Sequence, residues 1–185
     1  SEEAPMILAG DVGGTKCNLA LVEKREDGLS IRHQRRFSSH QYLQFSDVVA
    51  AFLAESRDAV ASSKAGRIKA AGFGVAGPVI GSRVSVTNLG WELDAGVLAR
   101  QIGTRSVLLL NDLEATAYGL PWLAADDIFA LNAGKLRPHA AKALIAAGTG
   151  LGESLLHWDG DRYIVAPTEG GHCDLAGERD RIGDE

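Results

Sequence analysis

Three short stretches carry the groups that could do chemistry. Asp11-Val12-Gly13-Gly14-Thr15 follows one apolar run, Asn111-Asp112 follows the run 107–110, and Gly148-Thr149-Gly150-Leu151-Gly152 follows the run 143–147. Each run reads as a buried strand that ends in exposed backbone or carboxylate groups. Successive glycines let the backbone approach an oxyanion with no Cβ in the way, and their N–H groups can form an anion-binding concavity. Each hydrogen bond to a charged acceptor contributes roughly 1.5–3 kcal/mol. Asp11 stands where a magnesium ion shared with phosphates would lie, held through water. Asp112 reads as a general base, since phosphoryl transfer needs an Asp to accept the proton of the attacking hydroxyl. A helix N-cap for residues 114–120 is the plainer reading of Asp112, and the two are compatible.

Two further clusters offer groups for a polyhydroxyl ligand, whose hydroxyls each give and take a hydrogen bond. In Thr168-Glu169-Gly170-Gly171-His172, Glu169 supplies an acceptor and His172 a switchable donor or acceptor. The plainer reading is a surface turn, and a zinc site there lacks a second close cysteine pair. Thr87-Asn88 precedes Gly90-Trp91; Asn88 is a candidate hydroxyl ligand, and Trp91 reads as packing under a loop. Gly72-Phe73-Gly74-Val75-Ala76-Gly77 matches G-x-G-x-x-G letter for letter. The dinucleotide fingerprint requires a helix to open there, whereas Pro78-Val79-Ile80-Gly81 reads as a turn into a hairpin.

The elements that must position these groups follow from periodicity. Residues 6–12, 17–23 and 29–37 read as strands joined by short links, an antiparallel meander. Ser46 offers an N-cap for one amphipathic helix over 47–62, closed by Gly66. Strands follow at 68–75 and 84–87. Asp94 caps a helix that ends at Gly103, and 106–110 reads as a strongly buried strand. A short helix over 114–120 stops near Pro121. After it, 128–131, 143–147, 154–158 and 162–165 read as strands of a second sheet, the last two flanking the hairpin signal Asp159-Gly160. Meander plus crossover helices suit an α/β architecture, a mixed sheet with helices on its faces. The two strand–glycine-turn units are alike in kind and suggest two related halves facing one cleft.

Composition is ordinary: 45% hydrophobic, 23% charged, net charge −5. The charge offers no basic footprint for nucleic acid, and Arg32, Arg35 and Arg36 read as coating for a sheet edge. No apolar stretch reaches the ~18–20 residues of a membrane span. Cys17 and Cys173 read as reduced thiols of a cytoplasmic protein. Residues 1–5 look like an extension outside the fold.

Taken in order, Gly10-Asp11-Val12-Gly13-Gly14-Thr15, Thr87-Asn88 with Trp91, Asn111-Asp112, Gly148-Thr149-Gly150-Leu151-Gly152 and Glu169-Gly170-Gly171-His172 resemble the N-terminal part of a bacterial glucokinase, in the hexokinase/actin-like ATPase superfamily. The resemblance runs from about Ile7 to Leu175. It implies a ribonuclease H-like/actin-like ATPase fold, with a small α/β domain over 6–121 and the start of a second α/β domain over 122–185. It implies ATP- and Mg²⁺-dependent phosphorylation of the 6-hydroxyl of glucose, the first step of glycolysis, with Asp112 as base. Asn88, Asn111, Glu169 and His172 would be sugar ligands. The turns at Gly13-Gly14-Thr15 and Gly148-Thr149-Gly150 would hold the ATP phosphates. A homodimer is a further expectation. Repressor-and-kinase relatives carry a cysteine-rich zinc loop that this sequence lacks. Family members also continue well past Glu185, with another sugar-binding Glu and the adenosine pocket there, so the chain is expected to be a fragment without kinase activity of its own. Two other readings stand beside this one: a kinase for a related hexose or amino sugar, and a non-catalytic sugar sensor on the same fold. An actin-like ATPase is disfavoured by the Asn111, Glu169, His172 set.

Overall fold

The computed structural model describes residues 5–25, 28–135, 137–147 and 151–168. The chain divides into two compact units between Leu136 and Arg137. In the first, β1 (Met6–Val12), β2 (Lys16–Arg25) and β3 (Gly28–Ser38) form the expected antiparallel meander. Helices α1 (Phe45–Glu55) and α2 (Arg57–Ala61) then lead to β4 (Ile68–Val75), which pairs parallel with β1. Strands β5 (Val79–Ile80), β6 (Arg83–Val86) and β7 (Trp91–Asp94) make a small separate antiparallel sheet. Helix α3 (Ala95–Ile102) leads to β8 (Val107–Asn111), parallel to β4, and α4 (Asp112–Gly119) follows at once. The five-stranded sheet has the order β3-β2-β1-β4-β8.

Strand alternation decides which residues meet. Met6, Leu8 and Val12 of β1, Leu19 and Leu21 of β2 and Phe73 of β4 share a core with Phe45, Val48, Val49 and Phe52 of α1 and Leu98 of α3. Phe45 meets Phe73 edge-on at 5.2 Å between centroids and lies 6.0 Å from Trp91. Trp91 is thus a core residue, 1% exposed, as its loop-packing reading anticipates. Gly10 makes room for this cluster, because a Cβ there would stand 2.5 Å from the Phe73 ring.

Four expectations need correction. The helix read over 47–62 is two helices, bent at Ser56, whose backbone (φ −97°, ψ 6°) leaves the helical region; the bend still packs Ala59 and Val60 of α2 on the core. Ser46 lies inside α1, and the cap position belongs to Gln44, which makes no side-chain cap bond. The runs 107–110 and 143–147 are strands, but neither is buried on both faces, although Leu109 does reach the core at 5% exposed. Leu108 is 56% and Ile145 of β9 (Lys142–Ala147) 64% exposed; Leu108 points to the face opposite Leu109, and no described residue covers it. Residues 128–131 form no strand: no neighbouring strand among the described residues pairs with them, and Phe129 and Leu131 are exposed.

In the second unit β9 pairs with β10 (Leu151–Trp158), which pairs with β11 (Tyr163–Thr168). The hairpin at Asp159-Gly160 forms as read. Asp159 Oδ1 accepts the amides of Asp161 (2.8 Å) and Arg162 (2.9 Å), and Gly160 takes φ 114°, where a side chain would be strained. No helix among the described residues is long and apolar enough to cross a membrane.

Asp94 caps α3 as expected. Its Oδ1 accepts the Val97 amide at 3.0 Å and its Oδ2 pairs with Arg83 Nε at 2.8 Å, while Gly103 closes the helix at φ 78°. The Val97 amide first, and the Arg83 guanidinium second, hold the Asp94 carboxyl below its ordinary 3.8. A depressed folded value means that the cap's charge-linked stabilisation is present above about pH 4 and is lost as pH falls through the folded value. Urea midpoints followed from pH 5 to pH 2 should show this slope in the native sequence and a shallower one in Asp94→Asn, which keeps a cap without the charge. Equal slopes would rule the linkage out.

Candidate active site

The site begins with strand register. Among the parallel strands, Val12 of β1 aligns with Val75 of β4, and Val75 aligns with Asn111 of β8. Adjacent strands lie ~4.8 Å apart, so Val12 and Asn111 stand roughly 10 Å from each other in one row. Gly13 and Asp112, the next residues, therefore leave the sheet at the same edge. Two hydrogen bonds fill the space between. The Ala76 amide donates to the Val12 carbonyl at 3.1 Å, and Asn111 Nδ2 donates to the Gly77 carbonyl at 3.3 Å.

The Gly13-Gly14-Thr15 segment is the tight link between β1 and β2, so its plain hairpin reading is correct as geometry. The Gly13 amide donates to the Lys16 carbonyl at 3.0 Å and is not available to a ligand. This narrows the concavity read from the sequence. The amides of Gly14 and Thr15 meet no acceptor among the described residues. Ser39, fully buried just after β3, holds the link from beneath: its Oγ donates to the Gly13 carbonyl at 2.8 Å and its amide to the Thr15 carbonyl at 3.0 Å. Asn88, in the turn after β6, packs against the same link, with Nδ2 3.8 Å from where a Cβ on Gly14 would sit.

Asp112 is the first residue of α4, and the cap position falls one residue earlier than the plainer reading put it, at Asn111. Asn111 Oδ1 accepts the Leu113 amide at 3.0 Å, and Asp112 Oδ1 accepts the same amide at 2.9 Å. Asp112 Oδ2 has no partner among the described residues, and the side chain is half-buried. A carboxylate anchored by one oxygen and free at the other suits proton acceptance from a hydroxyl. Two glycines of the 72–77 run set this up. A Cβ on Gly74 would stand 2.8 Å from Ala115 Cβ and 3.6 Å from Asp112 Cα, and one on Gly77 2.9 Å from the Ser85 carbonyl. Gly74 and Gly77 serve helix and strand packing, and a strand, not a helix, follows the run.

Asp11 lies on the sheet face opposite the Phe73 core. Cross-strand register sets Asp11, Asn18 and Arg36 side by side on β1, β2 and β3. Arg36 Nε donates to Asn18 Oδ1 at 2.9 Å, and Asn18 Nδ2 donates to Asp11 Oδ2 at 3.0 Å. Arg36 thus does more than coat an edge, whereas Arg35, on the other face of β3, pairs with Glu55 of α1 at 3.4 Å. These residues rim an open groove of about 960 Å³ whose floor includes Ala9, Gly72 and Gly74. No three His, Cys, Asp or Glu side chains cluster as metal ligands among the described residues. The donor set therefore fits magnesium only as a hydrated ion near one carboxylate and substrate phosphates, a mode that Mg²⁺ commonly takes. Beneath the site, burial pushes the Cys17 thiol up in pKa, and the Ser39 hydroxyl lies 3.4 Å from it.

The structure thus brings Gly13, Gly14, Thr15, Asn88, Asn111 and Asp112 to one edge of the first unit. Gly148, Thr149, Gly150, Glu169 and His172 lie outside the described residues. Ser39 and Asn18 escape a reading by sequence. Ser39 contacts a turn about 25 residues earlier, and Asn18 shows its role only once the three-strand register is known.

A family model described as glucokinase matches residues 8–182. The chain belongs to the glucokinase family. It is 36% identical over 172 residues to a glucokinase of Nostoc punctiforme, covering 92% of this chain and 48% of that protein. It is 38% identical over 172 residues to a glucokinase of Trichormus variabilis, with the same coverages. The chain spans about half the length of the curated relatives it matches. Among solved structures, the glucokinase from an Antarctic psychrotroph superposes with a TM-score of 0.82 at 26% identity, over 95% of this chain and 53% of that one. The Balamuthia mandrillaris glucokinase in complex with glucose shares the fold, at a TM-score of 0.66 and 22% identity over 94% of this chain and 50% of that one. The actin-like ATPase fold, a mixed sheet with helices on its faces, is therefore that of the glucokinases.

The packing role of Gly74 separates cleanly from that of Gly72, where an added Cβ meets nothing within 4 Å. Gly74→Ala should lower stability by about 1–3 kcal/mol by overpacking α4. Gly72→Ala should be neutral or stabilising by up to about 1 kcal/mol. Urea unfolding of the two variants side by side checks this, and equal midpoints would refute the assignment.

Proposed function

We propose that the protein transfers the γ-phosphoryl group of ATP to the 6-hydroxyl of glucose. The observation that carries this reading is the row Val12–Val75–Asn111, which sets two free backbone amides and a half-free carboxylate at one sheet edge. The relatives named glucokinase, and the glucose complex of one structural neighbour, supply the sugar. The buried free thiol of Cys17 accords with a cytoplasmic setting, where thiols stay reduced.

In this reading Asp112 Oδ2 takes the proton of the 6-hydroxyl. The hydroxyl oxygen attacks the γ-phosphorus in line, the bond to the bridging oxygen of ADP breaks, and glucose 6-phosphate forms. The Gly14 and Thr15 amides stabilise phosphate oxygens, and Gly148, Thr149 and Gly150 are further phosphate ligands in the same reading. Asn88, Asn111, Glu169 and His172 hold the sugar's hydroxyls. Asn111 donates one Nδ2 hydrogen to Gly77, which fixes its amide and leaves the second hydrogen for a ligand. Asp11 orients a hydrated magnesium ion, which neutralises charge on the transferring phosphates when bound.

Asp112→Ala in the full-length protein should lower turnover by about 10²–10⁴-fold, roughly 3–5.5 kcal/mol of barrier. Glucose affinity should change far less. A variant with near-normal turnover would remove Asp112 from the role. ATP consumption assayed with and without glucose, and then across mannose, glucosamine and N-acetylated sugars, tests the acceptor. Sugar-independent hydrolysis would count against a sugar kinase of any kind.

A further inference from the structure

We propose that Ser39 is a positioning residue for the phosphate cradle: its two hydrogen bonds hold the Gly13-Gly14-Thr15 link with a free amide turned toward the nucleotide. The inference rests on the phosphoryl-transfer reading above and assigns a task to a residue that touches no substrate.

A glycine pair populates many backbone conformations, so a link built on one has no preferred direction for its amides. Something must fix it before it can act as a preformed cradle rather than pay the ordering entropy on binding. Ser39 does so through carbonyls. Oγ donates to the Gly13 carbonyl at 2.8 Å and the Ser39 amide donates to the Thr15 carbonyl at 3.0 Å. In a planar trans peptide the C=O of one residue and the N–H of the next point in opposite directions. Pinning the Gly13 carbonyl down on Ser39 therefore aims the Gly14 amide away from the core, and that amide has no acceptor among the described residues. The Gly13 amide, one peptide earlier, is spent on Lys16. The link thus has one amide locked into the hairpin and the next turned out.

The Ser39 hydroxyl has a second neighbour, the buried Cys17 thiol at 3.4 Å. Since the hydroxyl hydrogen goes to Gly13, the thiol is the donor of that pair. A chain of donors then runs from the buried Cys17 Sγ to the buried Ser39 Oγ and on to the half-buried Gly13 carbonyl. Burial, which favours the protonated thiol, keeps this donor in place at neutral pH. Removing the hydroxyl leaves the Gly13 carbonyl without its side-chain partner and loosens the Gly13–Gly14 peptide, while the backbone bonds of Gly13 to Lys16 and of Ser39 to Thr15 remain.

The test uses the full-length protein with MgATP and glucose. Ser39→Ala should raise the KM for MgATP by about tenfold while the KM for glucose stays within about twofold. Ser39→Thr, which keeps the hydroxyl, should stay within about threefold of the native value for both. Amide resonances give a readout that needs no variant: titration with ATP should shift the Gly14 amide strongly and the Gly13 amide weakly. An unmoved Gly14 amide, or Ser39→Ala with both KM values raised alike or with the MgATP value unchanged, overturns the proposal. The two readings fail separately. A native protein that phosphorylates glucose while Ser39→Ala keeps its KM for MgATP sinks the tether alone. One whose Gly14 amide responds to ATP but which phosphorylates no sugar sinks the kinase reading and leaves the tether standing.

Discussion

The parallel alignment of β1, β4 and β8 is the constraint on which the rest depends. Parallel ladders fix the ends of strands as well as their faces, and here the last residues of all three fall in one row. Whatever follows each strand then emerges at the same edge, where ligands of open α/β sheets collect. A slip of one residue in β8 would turn Leu109 out of the core and carry Asp112 to the opposite face. The aromatic cluster of Phe45, Phe73 and Trp91 ties β4 to α1 and β7 on the face that Leu109 shares.

Small residues let the edge be crowded. α4 starts directly at the end of β8 and passes close over β4 because Gly74 has no Cβ to meet Ala115. Gly77 lets the chain pass against the Ser85 carbonyl of β6. The result is a short path of hydrogen bonds from Val12 through Ala76 and Gly77 to Asn111. Both polar atoms of the Asn111 side chain are used in it, one capping α4 and the other holding Gly77. The helix start and the glycine link are therefore parts of one assembly. Asp112 inherits its orientation from that assembly, as Asp11 inherits its own from Asn18 and Arg36.

Much of this was legible in the sequence, for identifiable reasons. Alternation located β1, β2, β3 and β4, and turn chemistry located the Asp159-Gly160 hairpin and the Asp94–Gly103 helix. These signals are local, and local geometry satisfies them. Burial was read less well. The runs 107–110 and 143–147 are as apolar as core strands, yet Leu108 and Ile145 are exposed while Leu109, on the other face of β8, is buried. Composition selects a strand but does not say what lies on its far face. The bend at Ser56 and the start of α1 before Ser46 escaped for the same reason: the core sets where that helix begins and turns, and the core is assembled from distant residues.

The sequence by itself determined the chemical inventory: glycines at strand ends, an Asn-Asp after an apolar run, and the order of elements that carries them. Each is written in neighbouring residues, because turns, caps and strand periodicity act over a few positions. Only the tertiary structure decided which of those groups remain free to act. It spent the Gly13 amide on Lys16 and left that of Gly14 open, tied Asp11 to Arg36 through Asn18, and set the buried Ser39 under a turn far from it in the chain. Hydrogen-bond partners are chosen by proximity in space, and proximity in space follows from register and packing that no short stretch of residues contains.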